Sequence, residues 1–554
     1  MSDTRSPPIQ VQRLIHTICL PLSVRGNWRH DKDPVHLERI GWTLMENGVW
    51  KAGAAPGQQA GSPDPWDARR AYQARAYFHP FVRRFLFNDN LVRRFHRTDV
   101  RKVRALLGHW KTGDFAIELE VLRCELFVFQ PDIAILRLEL CHDAALDLDK
   151  VLVLLDRLRR MYPPYIESWQ DSEAGQTVWV AGHCAQGVEL LDADGNRMGS
   201  AEPMAKSEPA TAESALFADK VEHLVSSKST GAAGHKVFAH WRTLLAPLPL
   251  ADQPGSSPLA AHLLGDDRAA ILTWVALERI DGVSEGDWMR LCFADDPGTP
   301  GTLPYARSFT RDFEARFCYD RYWYQGRSVD NDTPRSRILN CGYAFTLAGS
   351  ASDDSFFTNE RNGAHAIFRH VYSDMAMVAL FQKAALLAAS QRLTELVERR
   401  NAGREIHLPS PAEVRSFYDH FIEFTQNFWF DEISPQEQGR ELFVQWHEHL
   451  GTKPLYAEVR QELLDLVQYT ELQTTGSLNR LVAMFGLASI VLSATAVVAA
   501  ALALPGAFAF QALDAKLPLW VAGALLTAAI SPLVLLIPAA RARVWKHIPR
   551  RQRA

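Results

Sequence analysis

Alternation between apolar and polar residues, with a period of two or of about 3.6, divides most of this chain into predicted strands and helices. Residues 115–121 alternate and 133–140 are mostly apolar, and both patterns predict strands. Residues 148–158 repeat apolar side chains every three or four positions and predict an amphipathic helix. Further strands are predicted at 270–277 and 288–293. The first 360 residues are therefore predicted to form a mixed α/β region.

Turn-forming residues separate these elements. Strands predicted at 177–181 and 187–191 form a hairpin that leads into the turn sequence Asp194-Gly195. Residues 192–196 also resemble the start of a calcium loop, but the glycine is fourth and Pro203 stands where an EF-hand requires an acid. We therefore favour a hairpin turn. Stretches rich in Gly, Pro, Ser and Ala predict linkers near 52–65, 199–212 and 249–258.

After residue 360 the pattern becomes helical. A helix is predicted at 365–400, and Gln382 and Lys383 in its apolar centre predict that it packs against other helices and does not cross a membrane. The segments 410–413 (Ser-Pro-Ala-Glu) and 434–437 (Ser-Pro-Gln-Glu) have the sequence of a capping box and predict two more helix starts. A last helix begins near Pro454 and, if it continues through the glycine at 476, is about 50 residues long.

Two apolar runs follow, each 24 residues long and free of charge: 481–504 and 517–540. A hydrocarbon core of about 30 Å requires roughly 20 apolar helical residues, so each run is long enough to span a membrane. Trp520 and Trp545 lie near the two ends of the second run, where indole rings favour the interface. The alternative is a buried hairpin of two helices. We expect two spans and a lipid bilayer as the first partner.

The charge distribution orients these spans. The net charge is −4, but the last fourteen residues carry six basic residues and no acidic one. Basic residues beside a span accumulate on the cytoplasmic side, which predicts a cytosolic tail. Two spans then place the large N-terminal region in the cytosol and the short loop outside. The predicted location is the inner (cell) membrane, multi-pass, with both termini cytoplasmic.

Together these patterns predict an α+β cytosolic domain, long stalk helices and a C-terminal two-helix transmembrane domain. The predicted boundaries are 1–360 for the cytosolic α/β region, 361–475 for the helical stalk, 476–540 for the two-span domain and 541–554 for the basic tail.

Composition excludes several classes of protein. The 15 Trp, 13 Tyr and 28 Phe are too many for a disordered chain. Seven scattered cysteines without a Cys-x-x-Cys pair argue against a disulfide framework and a structural zinc site, and fit a reducing compartment. The 19 histidines show no metal-ligand spacing, and no nucleophile–base set is recognisable. We predict that the chain is not an enzyme and holds no cofactor firmly.

Nine basic residues against two acidic ones lie between positions 83 and 111. Such a cluster can hold a nucleotide, RNA or anionic lipid, although a solvated helix face is the favoured alternative. The candidate ligand-binding residues are Arg93, Arg94, Arg97 and Arg101. The aromatic residues of 317–324 could stack on a planar ligand, but we favour a core strand.

Small and weakly polar residues form one stripe along the first predicted span. At 100° per residue, Asn479, Gly486, Ser489 and Ser493 fall within a face about 100° wide, together with Val482 and Ala496. Such a stripe can line a water-filled path or let neighbouring helices pack closely. Several copies around an axis could combine both roles. We therefore name the four residues as candidate pore-lining positions.

The order of these elements, from Ser410 to Ala554, resembles the CorA-like magnesium transporter superfamily. The resemblance implies a homopentameric cation channel whose first span lines the pore and whose stalk helix transmits ion or ligand occupancy to the gate. It also implies a divalent cation, such as Mg²⁺, as the transported or regulatory ion. The superfamily's Gly-Met-Asn signature is absent, because Leu504-Pro505-Gly506-Ala507-Phe508 stands in its place.

The short outer loop therefore offers other candidates for ion selection. These are Gly506, Gln511 and Asp514, of which Asp514 is the acidic residue of the loop. A ring of carboxylates at a pore mouth favours cations. We predict a CorA-like oligomeric channel or transporter for divalent cations, gated by its cytosolic domain. The alternative is a membrane-anchored sensor or signal-opened effector whose cytosolic domain binds a nucleotide or a protein regulator.

Overall fold

The structure is a computed structural model, and it describes residues 8–25, 42–44, 65–88, 91–129, 132–170, 177–199, 237–246, 248, 260–265, 267–299, 301–323, 336–398 and 411–503. The chain divides into two compact units. The first lies within 1–406 and 419–460, and the second within 407–418 and 461–554. The predicted linkers, apart from their end residues 65 and 199, lie outside the described residues, as do the second span and the basic tail.

The strands are β1 (Gln10–Arg25), β2 (Trp42–Leu44), β3 (Val92–Arg97), β4 (Lys102–His109), β5 (Gly113–Phe129), β6 (Ile133–His142), β7 (Leu146–Asp147), β8 (Tyr165–Gln170), β9 (Thr177–Gly182), β10 (Gly187–Leu191), β11 (Arg197–Met198), β12 (Ala260–Leu263), β13 (Ala270–Leu277), β14 (Cys318–Tyr319), β15 (Ser336–Asn340) and β16 (Ala344–Ser350).

The α-helices are α1 (Pro65–Tyr77), α2 (Pro80–Phe87), α3 (Leu148–Leu158), α4 (Ala239–Leu245), α5 (Glu285–Phe293), α6 (Arg307–Thr310), α7 (Phe313–Phe317), α8 (Ala364–Ile367), α9 (Ser373–Glu398), α10 (Pro411–Asn427), α11 (Glu437–His449) and α12 (Thr452–Ala503). A π-helical turn, Phe368–Tyr372, joins α8 to α9.

A large mixed sheet organises the first unit, with strand order β11-β10-β4-β5-β6-β1-β13-β16-β15-β14. The long strand β1 is antiparallel to both β6 and β13, and β13 is parallel to β16. The strands predicted within 115–121, 133–140 and 270–277 are confirmed as parts of β5, β6 and β13. The mixed α/β character of the N-terminal region is therefore confirmed.

The main core lies between this sheet and α3. Leu14, Ile18 and Leu22 alternate along β1 into that core, and Val151 and Leu155 of α3 are fully buried in it. Helix α3 packs against β1 and β4. Because α3 has a strongly apolar face, its sequence periodicity predicted both the helix and the side that it buries.

Buried charges fill part of the space between the sheet and α9. Arg137 of β6 donates to Glu125 of β5 at 2.6 and 2.8 Å and to Asp374 of α9 at 3.1 Å. Glu139 of β6 accepts from Arg369 of the π-helical turn. Buried ions require such mutual pairing, because an isolated charge in the interior is very costly. This network fixes the start of α9 against β5 and β6.

The predicted hairpin between 177–181 and 187–191 is wrong in its pairing, although both segments are strands. Strand β9 pairs with β8 in a separate two-stranded sheet, whereas β10 joins β4 and β11 in the large sheet. The turn predicted at Asp194-Gly195 connects β10 to β11. Asp192 accepts hydrogen bonds from the backbone N–H groups of Asp194 and Asn196 there, at 2.9 and 2.8 Å.

The strand predicted at 288–293 is wrong, because this segment belongs to helix α5. Ser284 caps the helix by accepting from the backbone N–H of Asp287 at 3.2 Å, and its hydroxyl donates to the Asp287 carboxylate. Trp288, Met289, Leu291 and Cys292 are all buried. A short apolar run cannot distinguish a buried strand from a buried helix, and the cap is the signal that decides.

Helix α9 is a core helix, as its internal polar residues predicted. Within the described residues, Ala364–Leu396 is the one helical stretch long and apolar enough to cross a membrane by length and composition. However, 89% of its apolar window is buried inside the protein. Gln382 is fully buried and donates to the carbonyl oxygens of Phe428 and Phe430 at 3.0 and 3.3 Å.

The capping box predicted at 434–437 is also wrong. Helix α11 begins at Glu437, and the Ser434 hydroxyl instead donates to the Tyr77 carbonyl at 2.6 Å and accepts from the Gln436 N–H at 3.2 Å. The helix ends at His449, and Leu450 and Gly451 follow it, the glycine with a φ of +60°.

The second unit contains the C-terminal part of α12. This helix has 52 residues, close to the predicted length, and its regular structure continues through Gly476. At 1.5 Å per residue it is about 78 Å long. Its stretch Asn479–Ser493 is here called the apolar segment. Apart from its two end residues and from Arg480 and Ser489, all of its residues are apolar. The predicted first span thus begins inside one continuous helix.

Candidate functional site

The apolar segment exposes its large side chains. Seven large hydrophobic residues are more than a third exposed: Leu481, Val482, Met484, Phe485, Leu487, Ile490 and Leu492. At 100° per residue they surround the helix axis and do not form a single stripe. Burying one such side chain contributes roughly 1.5–3 kcal/mol of stabilising free energy. Burial of all seven would therefore contribute on the order of 10 kcal/mol. The described residues therefore leave a large apolar surface uncovered around this part of α12.

The polar residues of the candidate pore stripe satisfy their hydrogen bonds within the helix. Ser489 donates to the Gly486 carbonyl at 2.8 Å, and Ser493 donates to the Ser489 carbonyl. Asn479 is exposed at the start of the segment. A methyl group built on Gly486 would meet no atom of the described residues within 4 Å. Nothing in the described part of this chain therefore requires glycine there, whereas close approach of another helix would.

The outer-loop candidates Gly506, Gln511 and Asp514 lie outside the described residues, and so does the place of the missing Gly-Met-Asn signature.

The basic cluster is distributed over helix α2, which carries Arg83 and Arg84, and strands β3 and β4, and its buried members have structural contacts. Arg94 is buried, donates to the Leu86 carbonyl and lies over two phenylalanine rings. Arg97 is buried and forms a bidentate pair with Asp99 at 2.7 and 2.8 Å. It also donates to two carbonyls of α4. Arg93 and Arg101 are half-buried. A solvated helix face therefore does not describe the four candidate residues, because Arg93, Arg94 and Arg97 lie in strand β3.

The described part of the aromatic segment, residues 317–323, is divided between the end of α7, the short strand β14 and a turn. Tyr319 donates to Glu441 at 2.6 Å and Arg321 donates to Glu437 at 3.1 Å, so both side chains pair with α11. The core strand predicted here is limited to two residues, 318 and 319.

A second candidate site combines residues that are far apart in the sequence. Asp156 lies in the last turn of α3, His183 follows β9, and Asp296 follows α5. One donor atom from each of these three side chains lies within 4.8 Å of the others. Nδ1 of His183 is 3.5 Å from Oδ2 of Asp296. Nitrogen and carboxylate oxygen donors in this arrangement are suited to a divalent metal ion.

The end of α5, together with hydrogen bonds to the loop that follows it, brings these three side chains together. Ala294 ends α5 in a left-handed conformation, with φ of +53°, and turns the following residues back toward α3. Arg159 donates to the carbonyls of Phe293 and Ala294 at 3.3 and 3.2 Å. Lys111 holds the far side of the same loop by donating to the Gly298 carbonyl at 2.5 Å. The Asp296 carboxylate is therefore held in place from both sides.

The surrounding charges largely neutralise the two carboxylates. Oδ1 of Asp156 accepts from Arg160 at 2.5 Å, while its Oδ2 lies 3.9 Å from Nε of Arg157. Oδ2 of Asp296 accepts from Arg157 at 2.8 Å. Oδ1 of Asp296 is buried and has no hydrogen-bond partner among the described residues. Each carboxylate thus keeps one oxygen that no close guanidinium contacts.

His109 borders this group. Its Nδ1 accepts from the backbone N–H of Lys111 at 3.2 Å, so Nε2 carries the proton of the neutral ring. That Nε2 lies 3.8 Å from Oδ2 of Asp296. Burial lowers the pKa of His109 and the Asp296 carboxylate partly opposes this shift. His109 is consequently a neutral neighbour of Asp296 at a distance too long for a hydrogen bond.

Sequence reasoning missed this group, and the linear pattern contains no signal for it. The three residues lie on different elements, and no two of them have the short spacing of metal-ligand motifs. The loop that carries Asp296 also follows a segment predicted to be a strand. The geometry arises only when the end of α5 packs against α3.

No family model matches the chain, and no curated protein and no solved structure matches it at a significant level. The resemblance to the CorA-like superfamily therefore stays a prediction.

Proposed function

We propose that this protein is an oligomeric membrane channel or transporter for divalent cations, gated by its cytosolic unit. The observation that carries the proposal is the apolar segment, exposed on all sides and continuous with the polar part of α12. A helix apolar all round is typical of a span, and one that continues out of a soluble unit is suited to transmit its state into the membrane.

The stripe of the apolar segment supports a pore more than a simple anchor. Its hydroxyl groups bond to carbonyls of their own helix, which satisfies their donors while leaving oxygen lone pairs exposed. Small residues there allow copies of the helix to approach one another. By resemblance to the CorA-like superfamily, the oligomer is a pentamer that passes a divalent cation such as Mg²⁺, and each copy contributes one stripe to the lumen.

Ion flux through reconstituted liposomes tests the proposal. The full-length protein should release a divalent-ion gradient that protein-free liposomes retain, and the detergent-solubilised particle should have about five times the 62.3 kDa chain mass. A stable monomer, or liposomes without flux under all ion conditions, would contradict it.

Matched substitutions locate the lumen. Ser489→Leu and Ser493→Leu should reduce flux strongly, because each places a bulky apolar side chain in the proposed path. Thr495→Leu is the control: it makes the same chemical change, and Thr495 bonds to the Leu492 carbonyl at 2.8 Å as the stripe serines bond to theirs. However, it lies about 150° or more away from the centre of the stripe. Equal effects of all three would assign the serines to packing.

Asp514 provides a separate test of ion selection. If a ring of its carboxylates attracts cations, Asp514→Asn should lower divalent flux and weaken the preference for cations over anions. Unchanged flux and selectivity would remove Asp514 from the site while leaving the pore proposal intact.

A signal-opened effector is the second candidate, and a cavity in the first unit favours it. The cavity has a volume of about 350 Å³, and its lining includes Phe81, Trp429, Arg84 and the acidic residues Asp431 and Glu432. Aromatic rings can stack on a planar ligand, and the guanidinium can pair with one anionic group of that ligand. Flux that requires an added nucleotide, and that Arg84→Ala abolishes, would favour this function over a channel regulated by ions.

A further inference from the structure

We infer that Asp156, His183 and Asp296 form a binding site for a divalent transition-metal ion such as Zn²⁺ or Co²⁺. The inference is independent of the proposed function, because it concerns direct binding within the first unit and no ion flux. It rests on the juxtaposition of one imidazole and two carboxylates from three separate elements, with donor atoms within 4.8 Å of one another.

The donor set determines the class of ion. Carboxylate oxygens accept many divalent ions, but an imidazole nitrogen favours zinc, cobalt and similar ions over Mg²⁺ and Ca²⁺. The 3.5 Å distance between Nδ1 of His183 and Oδ2 of Asp296 brings the imidazole and this carboxylate within reach of one ion, which Nδ1 and the uncontacted oxygen Oδ1 of the carboxylate would bind.

The two carboxylate oxygens that no close guanidinium contacts define where the ion would bind. Oδ1 of Asp296, buried and without a hydrogen-bond partner among the described residues, is an acceptor whose burial is otherwise unfavourable. Asp156 is buried within α3 and offers Oδ2, since Arg160 occupies its other oxygen. The His183 side chain is 44% exposed, so water can reach the ion and complete its coordination.

One nearby residue borders the ligands and another limits the affinity. His109 borders the site, because its Nε2 lies 3.8 Å from Oδ2 of Asp296 while its Nδ1 accepts from the Lys111 backbone. Arg157 competes with the ion, because its guanidinium donates to Asp296 at 2.8 Å and repels a second cation. Removing the Arg157 charge should therefore strengthen metal binding, an effect that a damaged fold would not produce.

Titration of the metal-free, full-length protein in detergent tests the site. The protein should carry no histidine tag, and Zn²⁺ binding is measured by calorimetry and Co²⁺ binding by its visible absorption bands. We expect one ion per chain. His183→Gly and Asp296→Asn should each weaken binding at least tenfold, and Arg157→Gln should strengthen it at least tenfold. Glycine is chosen at 183 because this residue has φ of +53°.

Controls exclude unspecific binding and loss of structure. His142→Ala and Asp194→Asn remove equivalent groups at other exposed places and should leave both titrations unchanged. Circular dichroism should be the same for every variant. Absence of a stoichiometric ion, or equal affinity in the wild-type protein, His183→Gly and Asp296→Asn, would overturn the inference. Channel flux is not measured, so failure here would leave the proposed function standing, and failure of flux would leave this site standing.

Discussion

The centre of helix α9 and the apolar segment of α12 are both rich in apolar residues but have opposite surroundings. The apolar window of α9 is 89% buried within the first unit, and its one fully buried glutamine has three hydrogen-bond partners: Phe428, Phe430 and His447. In the apolar segment, by contrast, Val482, Phe485 and Leu492 are each more than two-thirds exposed. Hydropathy alone would rank the two helices together. Internal polar contacts distinguish the packed helix α9 from the apolar segment, whose large side chains are exposed.

The largest expected effect concerns membrane insertion. Residues 476–505, placed between glycosylation sites in a carrier protein and translated with microsomes, should insert. Ile490→Asp together with Leu492→Asp should abolish insertion, because each acid near the centre of a span costs about 3 kcal/mol. The glycosylation pattern reports the inserted fraction.

The same assay compares the two helices directly. Residues 373–396 of α9, in the same carrier, should fail to insert, because the chain pairs their polar groups only in its folded core. Insertion of α9, or insertion of the doubly substituted segment, would break the distinction between them.

Next in size is the buried network beneath α9. Glu139 is fully buried, and Arg123 and Arg369 hold the pKa of its carboxyl far below the usual range, although burial alone would raise that pKa. Glu139→Gln would leave two buried guanidinium groups without their anion and should lower the free energy of unfolding by about 3–5 kcal/mol. Urea denaturation followed by tryptophan fluorescence measures this change.

Glu118→Gln is the matched control. Glu118 also pairs with two cations, Lys102 and Arg104, on the same sheet, but at an exposed position. We expect no measurable change in the denaturation midpoint, because water replaces the lost partners. If the two variants behave alike, the buried network does not hold α9 in place.

A smaller effect is expected at Gln382. Gln382→Leu makes α9 more apolar but leaves the Phe428 and Phe430 carbonyls and Nε2 of His447 without their partner. The free energy of unfolding should fall by about 2 kcal/mol, since buried polar groups without partners are destabilising. Lys383→Leu at the adjacent, half-buried position should change it less. A stabilised Gln382→Leu protein would indicate that α9 behaves as a lipid-facing helix.

Local patterns predicted the elements of this fold better than their pairing. The periodicity of 148–158 and the alternation of 115–121 led to correct elements, because each depends on which face is buried. Pairing depends on distant partners: β10 joins β4, and not the strand β9 that precedes it. The group of Asp156, His183 and Asp296 was out of reach for the same reason. In contrast, the sequence alone defines the stripe of small residues in the apolar segment, because that stripe depends on one helix and on no distant partner.

The smallest expected effect is the dependence of stability on pH, which we expect for the first unit and not for the apolar segment. The apolar segment carries no histidine and no acidic residue. Burial lowers the pKa of His16 and of His240 to about 3, so the folded chain keeps both rings neutral while the unfolded chain protonates them below about 6.5. The unfolded state then binds more protons, and stability should fall as the pH decreases from 6.5 toward 3, by up to about 1.4 kcal/mol per pH unit for each histidine.

His240→Leu should therefore reduce this slope by up to about 1.4 kcal/mol per pH unit, measured by urea denaturation between pH 6 and 4.5. Membrane insertion of residues 476–505 should be independent of pH over the same range. Identical slopes with and without His240 would show that the His240 ring is not buried in solution. The contrast between the buried core of the first unit and the exposed apolar segment would then be weaker.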